Sequence, residues 1–289
     1  ANTVILVPPV PGVSSYNLEI PANSLMQSAN SLTFDTPSGS LAIPGNMLSS
    51  LAGTEGQKAG ITIGQGDKTG LTSAERAAIG DRPLIQLTLT LDGVQSDWNN
   101  PAAPVTVTIP YTPTAEELKN PESLIIWYLD GSGRLVCVPN GHYDAATGTV
   151  TFQTTHFSQY AGGYNPVSFR DVAEAAWYKK AVSFIAARGI TKGTGGGYYS
   201  PDAKLTRGEF IVMLMNAYGI APDANSTDNF ADAGNTYYTN YLAAAKRLGI
   251  SSGVGDNLYA PGQEITRQEM FTLLYNALNV IGQLPQGNS

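Results

Sequence analysis

FRDVAEAAWYKKAVSFIAARGITKGTGGGYYSPDAKLTRGEFIVMLMNAYG, from Phe169 to Gly219, and FADAGNTYYTNYLAAAKRLGISSGVGDNLYAPGQEITRQEMFTLLYNALN, from Phe230 to Asn279, are two copies of one pattern. At a constant offset of 60 residues Tyr178 falls on Tyr238, Gly189 on Gly249, Gly193 on Gly253, Tyr199 on Tyr259, Thr206 on Thr266, Arg207 on Arg267 and Glu209 on Glu269. The leading Phe-x-Asp is shifted by one further residue, so the slack lies between it and the aromatic pair. A period of this size marks a supersecondary unit that cannot bury its apolar face alone and packs on its neighbours.

Each copy reads as helix, loop, short extended piece, helix. In the first, Trp177, Ala181, Phe184 and Ile185 are expected on one face of a helix that stops at Gly189, where glycine supplies a left-handed cap. Asp171-Val172-Ala173-Glu174 has the spacing of a helix cap. Thr206-Arg207-Gly208-Glu209 fits a capping box, and Thr266-Arg267-Gln268-Glu269 repeats it. The threonines and glutamates are thereby explained. The arginines are not, because the first position of a helix lies at the positive end of its dipole, where an exposed cation is disfavoured by roughly 0.3–1 kcal/mol. Two partners fit: a carboxylate, from Asp202 or a neighbouring unit, or a docked anion held by guanidinium and free helix N–H groups.

Upstream, residues 1 to about 165 read as β. TVILV, SLTFDT, AGITIG, PLIQLTLTLDG, VTVTIPY, SLIIWYLD and TVTFQTT are short, alternating or apolar, and rich in β-branched residues, with turn chemistry at Asp92-Gly93 and Asp130-Gly131-Ser132-Gly133. LTSAERAAIGD, from Leu71, is the main helical interruption, and PTAEEL a turn of helix. The expected fold is mixed and in two parts: an all-β, sandwich-like region of one or two subdomains, then helix–loop–helix repeats. The expected divisions are 1–165, 166–226, 227–283 and a tail 284–289.

The 289 residues carry a net charge of −7. Thirteen acids against six bases precede Pro166, and ten against ten follow, so the β region carries all of the excess. With no basic stripe, a nucleic-acid partner is not expected. No apolar run is long enough to span a membrane, and the chain opens without a basic leader. One cysteine, Cys137, and two histidines, His142 and His156, make no metal cluster, and neither a metal nor a cofactor is expected. Glu116 and Glu117 read as a solvated face, and Cys137 as core.

Phe-x-Asp, an aromatic-Tyr pair, Gly-Ile-x-x-Gly, a tyrosine before x-Pro and Thr-Arg-x-Glu, in order and twice, resemble the S-layer homology module over nearly the whole of both units. The resemblance implies an extracellular protein, held noncovalently to a Gram-positive-type cell wall through secondary polysaccharide carrying pyruvate ketals. By that resemblance Arg207 and Arg267 meet the ketal carboxylate, Asp171 and Asp232 the sugar hydroxyls, and Trp177 a sugar face, with Tyr237 in its place in the second unit. Gly193 and Gly253 then leave room for the ligand. Such modules usually act as three units about a pseudo-threefold axis. Two are present here, so a third is expected to be missing, and the face it leaves favours self-association.

The β region is similar to the β-domains that precede these modules in clostridial-type surface proteins. It also resembles β-domains of netrin receptors and ankyrins, in which a His-Phe-Ser strand cuts itself. Here that motif is His156-Phe157-Ser158: the Ser158 hydroxyl would attack the Phe157 carbonyl while His156 takes its proton. Against it, the same three residues serve as an ordinary strand. The main expectation is a noncatalytic surface protein; the alternative is the anchored fragment of an envelope enzyme or a self-cleaving β-domain.

Overall fold

A computed structural model describes residues 1–284, which fall into two compact units, Ala1–Pro166 and the residues from Val167 onward. The tail 284–289 lies, beyond its first residue, outside the described residues.

The first unit is a sandwich of two sheets. One is six-stranded, in the order β1 (Asn2–Leu6), β3 (Ser31–Thr36), β4 (Gly39–Pro44), β8 (Val105–Pro110), β12 (Thr149–Thr154), β11 (His142–Asp144). The other is seven-stranded: β10 (Leu135–Cys137), β9 (Leu124–Leu129), β13 (Gln159–Tyr164), β6 (Leu84–Leu91), β5 (Lys58–Gln65) and β2 (Ser15–Pro21), with β7 (Val94–Ser96) also on β6. Strand pairs are antiparallel except β1 on β3, which is parallel. Alternation decides which side chains face inward. Phe34, Leu41, Ile43, Val107 and Phe152 from the first sheet meet Ile61, Ile63, Leu87, Ile126 and Tyr160 from the second in one core. The β region is thus a single sandwich.

Helix α1 (Ser73–Ile79) opens on a complete Thr72–Glu75 capping box and buries Ile79 against Leu84, Leu129 and Ala161. The expected solvated pair Glu116–Glu117 is split. Glu116 stays outside on Lys119, whereas Glu117 is buried, its carboxylate held by Arg82 at 2.7 Å and by the Tyr111 hydroxyl at 2.6 Å. A buried carboxylate needs such partners. Cys137 is half-buried on β10, at the edge of its sheet.

The second unit holds α2 (Lys179–Ala187) and α3 (Arg207–Ala217) in one repeat, and α4 (Thr239–Leu248) and α5 (Arg267–Val280) in the next. Phe169, Val172, Val182 and Ala186 form a small core of the first repeat alone. The larger core is shared: Ile211, Leu214 and Met215 of α3 pack with Phe230, Leu242, Tyr259 and Leu273 of the second repeat. Neither repeat closes by itself, as the period implied.

Candidate functional site

The repeats place the motif residues in equivalent positions. Gly189 takes φ +70° after α2 and Gly249 φ +74° after α4, reversing the chain into the loop. Asp171 caps no helix, contrary to its sequence pattern, because α2 begins only at Lys179, after a series of turns. Its carboxylate instead accepts from the backbone N–H of Tyr199 at 2.8 Å and of Ser200 at 2.7 Å. The Tyr199 N–H leads in holding that carboxyl below the usual range. The Asp232 carboxylate accepts likewise from the backbone N–H groups of Tyr259 and Ala260, at 2.8 and 2.7 Å. Each aspartate fastens the head of its repeat to the far side of its loop.

Gly193, at φ +73°, lies beneath that fastening. A Cβ there would run into the Tyr198 carbonyl and approach the Phe169 ring to 2.7 Å. Gly253 repeats the arrangement with the Leu258 carbonyl and the Phe230 ring at 2.8 Å. Both glycines therefore have a packing reason that needs no ligand.

The capping boxes form as expected, with Glu209 N–H donating to Thr206 and Glu269 N–H to Thr266. The two arginines between them then part company. Arg207 is 4% exposed. Its Nη1 meets Glu269 Oε1 at 2.7 Å, its Nε donates to the Tyr259 carbonyl at 2.8 Å, and its guanidinium lies 4.6 Å from the centre of the Tyr259 ring. The Tyr259 hydroxyl returns a bond to the Arg207 carbonyl at 3.0 Å. The neighbouring unit's acid, one of the partners left open by the sequence, is what offsets the helix dipole. Around this pair the backbones join: Arg207 N–H donates to Gln263 O, Gly208 N–H to Pro261 O, and Ile265 N–H to Leu205 O. Tyr259 and Gly208 went unnoticed as joint residues. A Cβ on Gly208 would lie 2.9 Å from the Tyr238 ring, and no local sequence signal marks the position, since the second repeat has Gln268 there.

Arg267 occupies the same first position of α5 but is exposed, with no ion-pair partner among the described residues. Trp177 sits before α2 rather than on it and is 92% exposed. Tyr237 stands at the equivalent place and is also exposed. Each lies edge-on to the tyrosine that follows, at 5.4 Å for Trp177–Tyr178 and 5.2 Å for Tyr237–Tyr238, so the rings are oriented by contact. The motif thus divides: Asp171, Asp232, Gly193, Gly253 and Arg207 are engaged in the fold, and Trp177, Tyr237 and Arg267 face outward.

In the β-sandwich, His156 does not address Ser158. Its Nδ1 meets the Tyr160 hydroxyl at 3.1 Å, burial lowers its pKa, and the Ser158 hydroxyl donates to Leu129 O at 3.4 Å. Phe157 packs against Trp98 with ring centres 4.8 Å apart. Among the described residues no group of acids, histidines or cysteine is placed to hold a metal, and no helix is long and apolar enough to cross a membrane.

The chain is thus a β-sandwich followed in sequence by interlocked helix–loop–helix repeats, with aromatic rings held in solvent at matching positions. Residues 168–211 and 229–271 match the S-layer homology domain, and the chain carries two such repeats. They mark it as a cell-surface protein associated with the wall or S-layer. It is 30% identical to amylopullulanase of Thermoanaerobacterium thermosulfurigenes over 201 residues, 69% of this chain and 10% of that protein. It is 29% identical to S-layer protein sap of Bacillus anthracis over 143 residues, 48% of this chain and 17% of that one. Exoglucanase XynX of Acetivibrio thermocellus is 31% identical over 123 residues, 42% of this chain and 11% of the enzyme. The chain therefore spans less than a fifth of each of these relatives. The 201 residues shared with amylopullulanase exceed the 123 of the second unit, so that likeness reaches into the β-sandwich.

Proposed function

We propose that this chain is a noncatalytic anchoring segment, whose repeats hold a surface protein to the cell wall by binding pyruvylated secondary polysaccharide. The observation that carries the reading is the matched pair of solvent-held aromatics, Trp177 and Tyr237. Burying a large ring stabilises a fold by about 1.5–3 kcal/mol, and both repeats forgo that at the same position. A ring face kept in water suits the apolar face of a sugar. Arg267 supplies the cation for a ketal carboxylate, whereas Arg207 serves the joint between repeats. Asp171, Asp232, Gly193 and Gly253 contribute by bracing the loops of their own repeats.

The test is pull-down with purified wall sacculi, before and after chemical removal of the pyruvylated polymer. Binding that disappears with the polymer supports the reading, and equal binding to both preparations ends it.

A second reading is favoured by the kinds of relatives found. S-layer proteins and polysaccharide-degrading enzymes both share the repeats, so the chain also fits as the attachment segment of an envelope enzyme. Hydrolysis of a wall or storage polysaccharide by the protein would support that version.

A further inference from the structure

The two repeats share a backbone and differ in charge. From Phe169 to Pro201 the first carries five bases against two acids, and from Phe230 to Pro261 the second carries two against two. Both bases of the second are paired, Lys246 with Asp228 and Arg247 with Asp223. In the first, Lys179 pairs with Glu174 and Arg188 stacks on Phe184. Arg170, Lys180 and Lys192 are exposed, with no ion-pair partner among the described residues.

The difference is sharpest at the loop tip. A short hairpin closes each tip: Thr194 N–H donates to Tyr198 O and Tyr198 N–H to Gly195 O, as Val254 N–H does to Leu258 O and Leu258 N–H to Gly255 O. The residue after the leading phenylalanine is tied to each tip in the same way, Arg170 N–H to Gly197 O at 2.9 Å and Ala231 N–H to Asn257 O at 2.8 Å. Only the first repeat has a cation at that tie. The Arg170 guanidinium lies 5.9 Å from the centre of the Tyr198 ring, and a Cβ on Gly197 would sit 3.4 Å from its Nε. Asp171 does not neutralise it, because that carboxylate is turned to the Tyr199 and Ser200 N–H groups. The second tip has Ala231 and Leu258 instead, and an acid, Asp256, in place of Gly196. Both tips stand in solvent, with Tyr198 46% and Leu258 38% exposed, although the first repeat gives α3 to the joint and the second gives the opposing side. A tip therefore stays open whichever side of a joint its repeat supplies.

We propose that the tip of the first repeat is a binding site for an acidic sugar, Arg170 meeting its carboxylate and the Tyr198 ring one of its faces. The proposal rests on the polymer reading above, and adds to the site at Arg267 one that the tip of the second repeat lacks. A guanidinium presents a carboxylate with two parallel N–H groups, and the tyrosine beside it presents an apolar face with a polar end. Gly195, Gly196 and Gly197, at φ +104°, +61° and +82°, place no side chain in the approach. Lys180 and Lys192 add a positive field on the same repeat, whereas Asp256 repels an anion from the second tip.

The test is calorimetric titration of the Arg267→Ala chain with a monosaccharide pyruvate ketal. Arg170→Gln and Tyr198→Ala, added singly to that chain, should each weaken binding about tenfold and leave the melting temperature unchanged. The neutral methyl ester of the ketal should bind the Arg267→Ala chain as weakly as the acid binds the Arg170→Gln variant. Ala231→Arg, Asp256→Gly and Leu258→Tyr together should create a second site of the same kind. No binding of the ketal by the Arg267→Ala chain, or binding indifferent to Arg170→Gln and Tyr198→Ala, overturns the proposal, and polymer-dependent pull-down would then leave the polymer reading standing without it. Arg170-dependent binding of the ketal by a chain whose hold on sacculi ignores the polymer would support the site and end the polymer reading alone.

Discussion

Arg207 of the first repeat and Glu269 of the second are separated by 62 positions in the chain and by 2.7 Å in space, and the arginine is almost wholly enclosed. An enclosed guanidinium without its carboxylate carries a large desolvation penalty. The pair is therefore a stability determinant of the helical unit before it is anything else.

Arg207→Ala should destabilise the repeats by about 3 kcal/mol, the lower end for a broken buried pair because Glu269 is one-third exposed. Arg267→Ala should leave stability within about 0.5 kcal/mol. Urea unfolding followed by the helical circular dichroism signal separates the two. If polymer binding survives Arg267→Ala at full strength, the anion site is misplaced.

Acid should loosen the joint. The Thr266 N–H, with Arg207 adding to it, holds the Glu269 carboxyl below its ordinary value. A carboxylate whose folded value is depressed contributes stability above its unfolded value, near 4.3, and loses it as pH falls through the folded one. Melting of the repeats should therefore decline below about pH 4.3. Glu269→Gln, which keeps the cap, should lower the neutral-pH melting temperature and flatten that decline.

Trp177→Ala and Tyr237→Ala should leave the melting temperature almost unchanged, since neither ring is buried. Each should weaken binding to wall polymer about tenfold, or ~1.4 kcal/mol. A loss of stability without a loss of binding would assign these rings to packing.

Gly193→Ala should cost roughly 2–4 kcal/mol, combining a left-handed backbone with collision at the Tyr198 carbonyl. Gly262→Ala, with open space around it and an ordinary backbone, should be neutral. If Gly193→Ala instead melts normally and only binding falls, the glycine is there for the ligand.

The purified chain should run as one species under denaturing conditions. His156 engages Tyr160 and the Ser158 hydroxyl turns to Leu129, so the base and nucleophile of a self-cleaving strand are not in contact. Two fragments divided between Phe157 and Ser158 by intact-mass measurement would reverse this.

Much of the architecture was legible because it is local. Capping boxes at Thr206 and Thr266 depend on residues three apart, and strand alternation on residues two apart. The Phe-x-Asp head was legible as a motif and misleading as a cap, since the groups that use Asp171 arrive 28 and 29 residues later. Trp177 was placed on α2 because its spacing from Ala181 and Phe184 is helical; the turns before Lys179 leave it outside. Glu117 shows the same limit, for its partner Arg82 comes from a separate loop 35 positions earlier. Charges that pair across the fold are invisible to a window of neighbours.

The arginine and the glutamate of the inter-repeat lock occupy the second and fourth positions of the same four-residue motif, Thr-Arg-x-Glu, in successive repeats. Every repeat consequently encodes both a key for its successor and a keyhole for its predecessor. Duplicating the coding segment delivers a working connection in the same event, with no second mutation to wait for. That makes the unit easy to append by recombination, and it gives a physical reason why one short module is found joined to coat proteins and to polysaccharide-cutting enzymes alike.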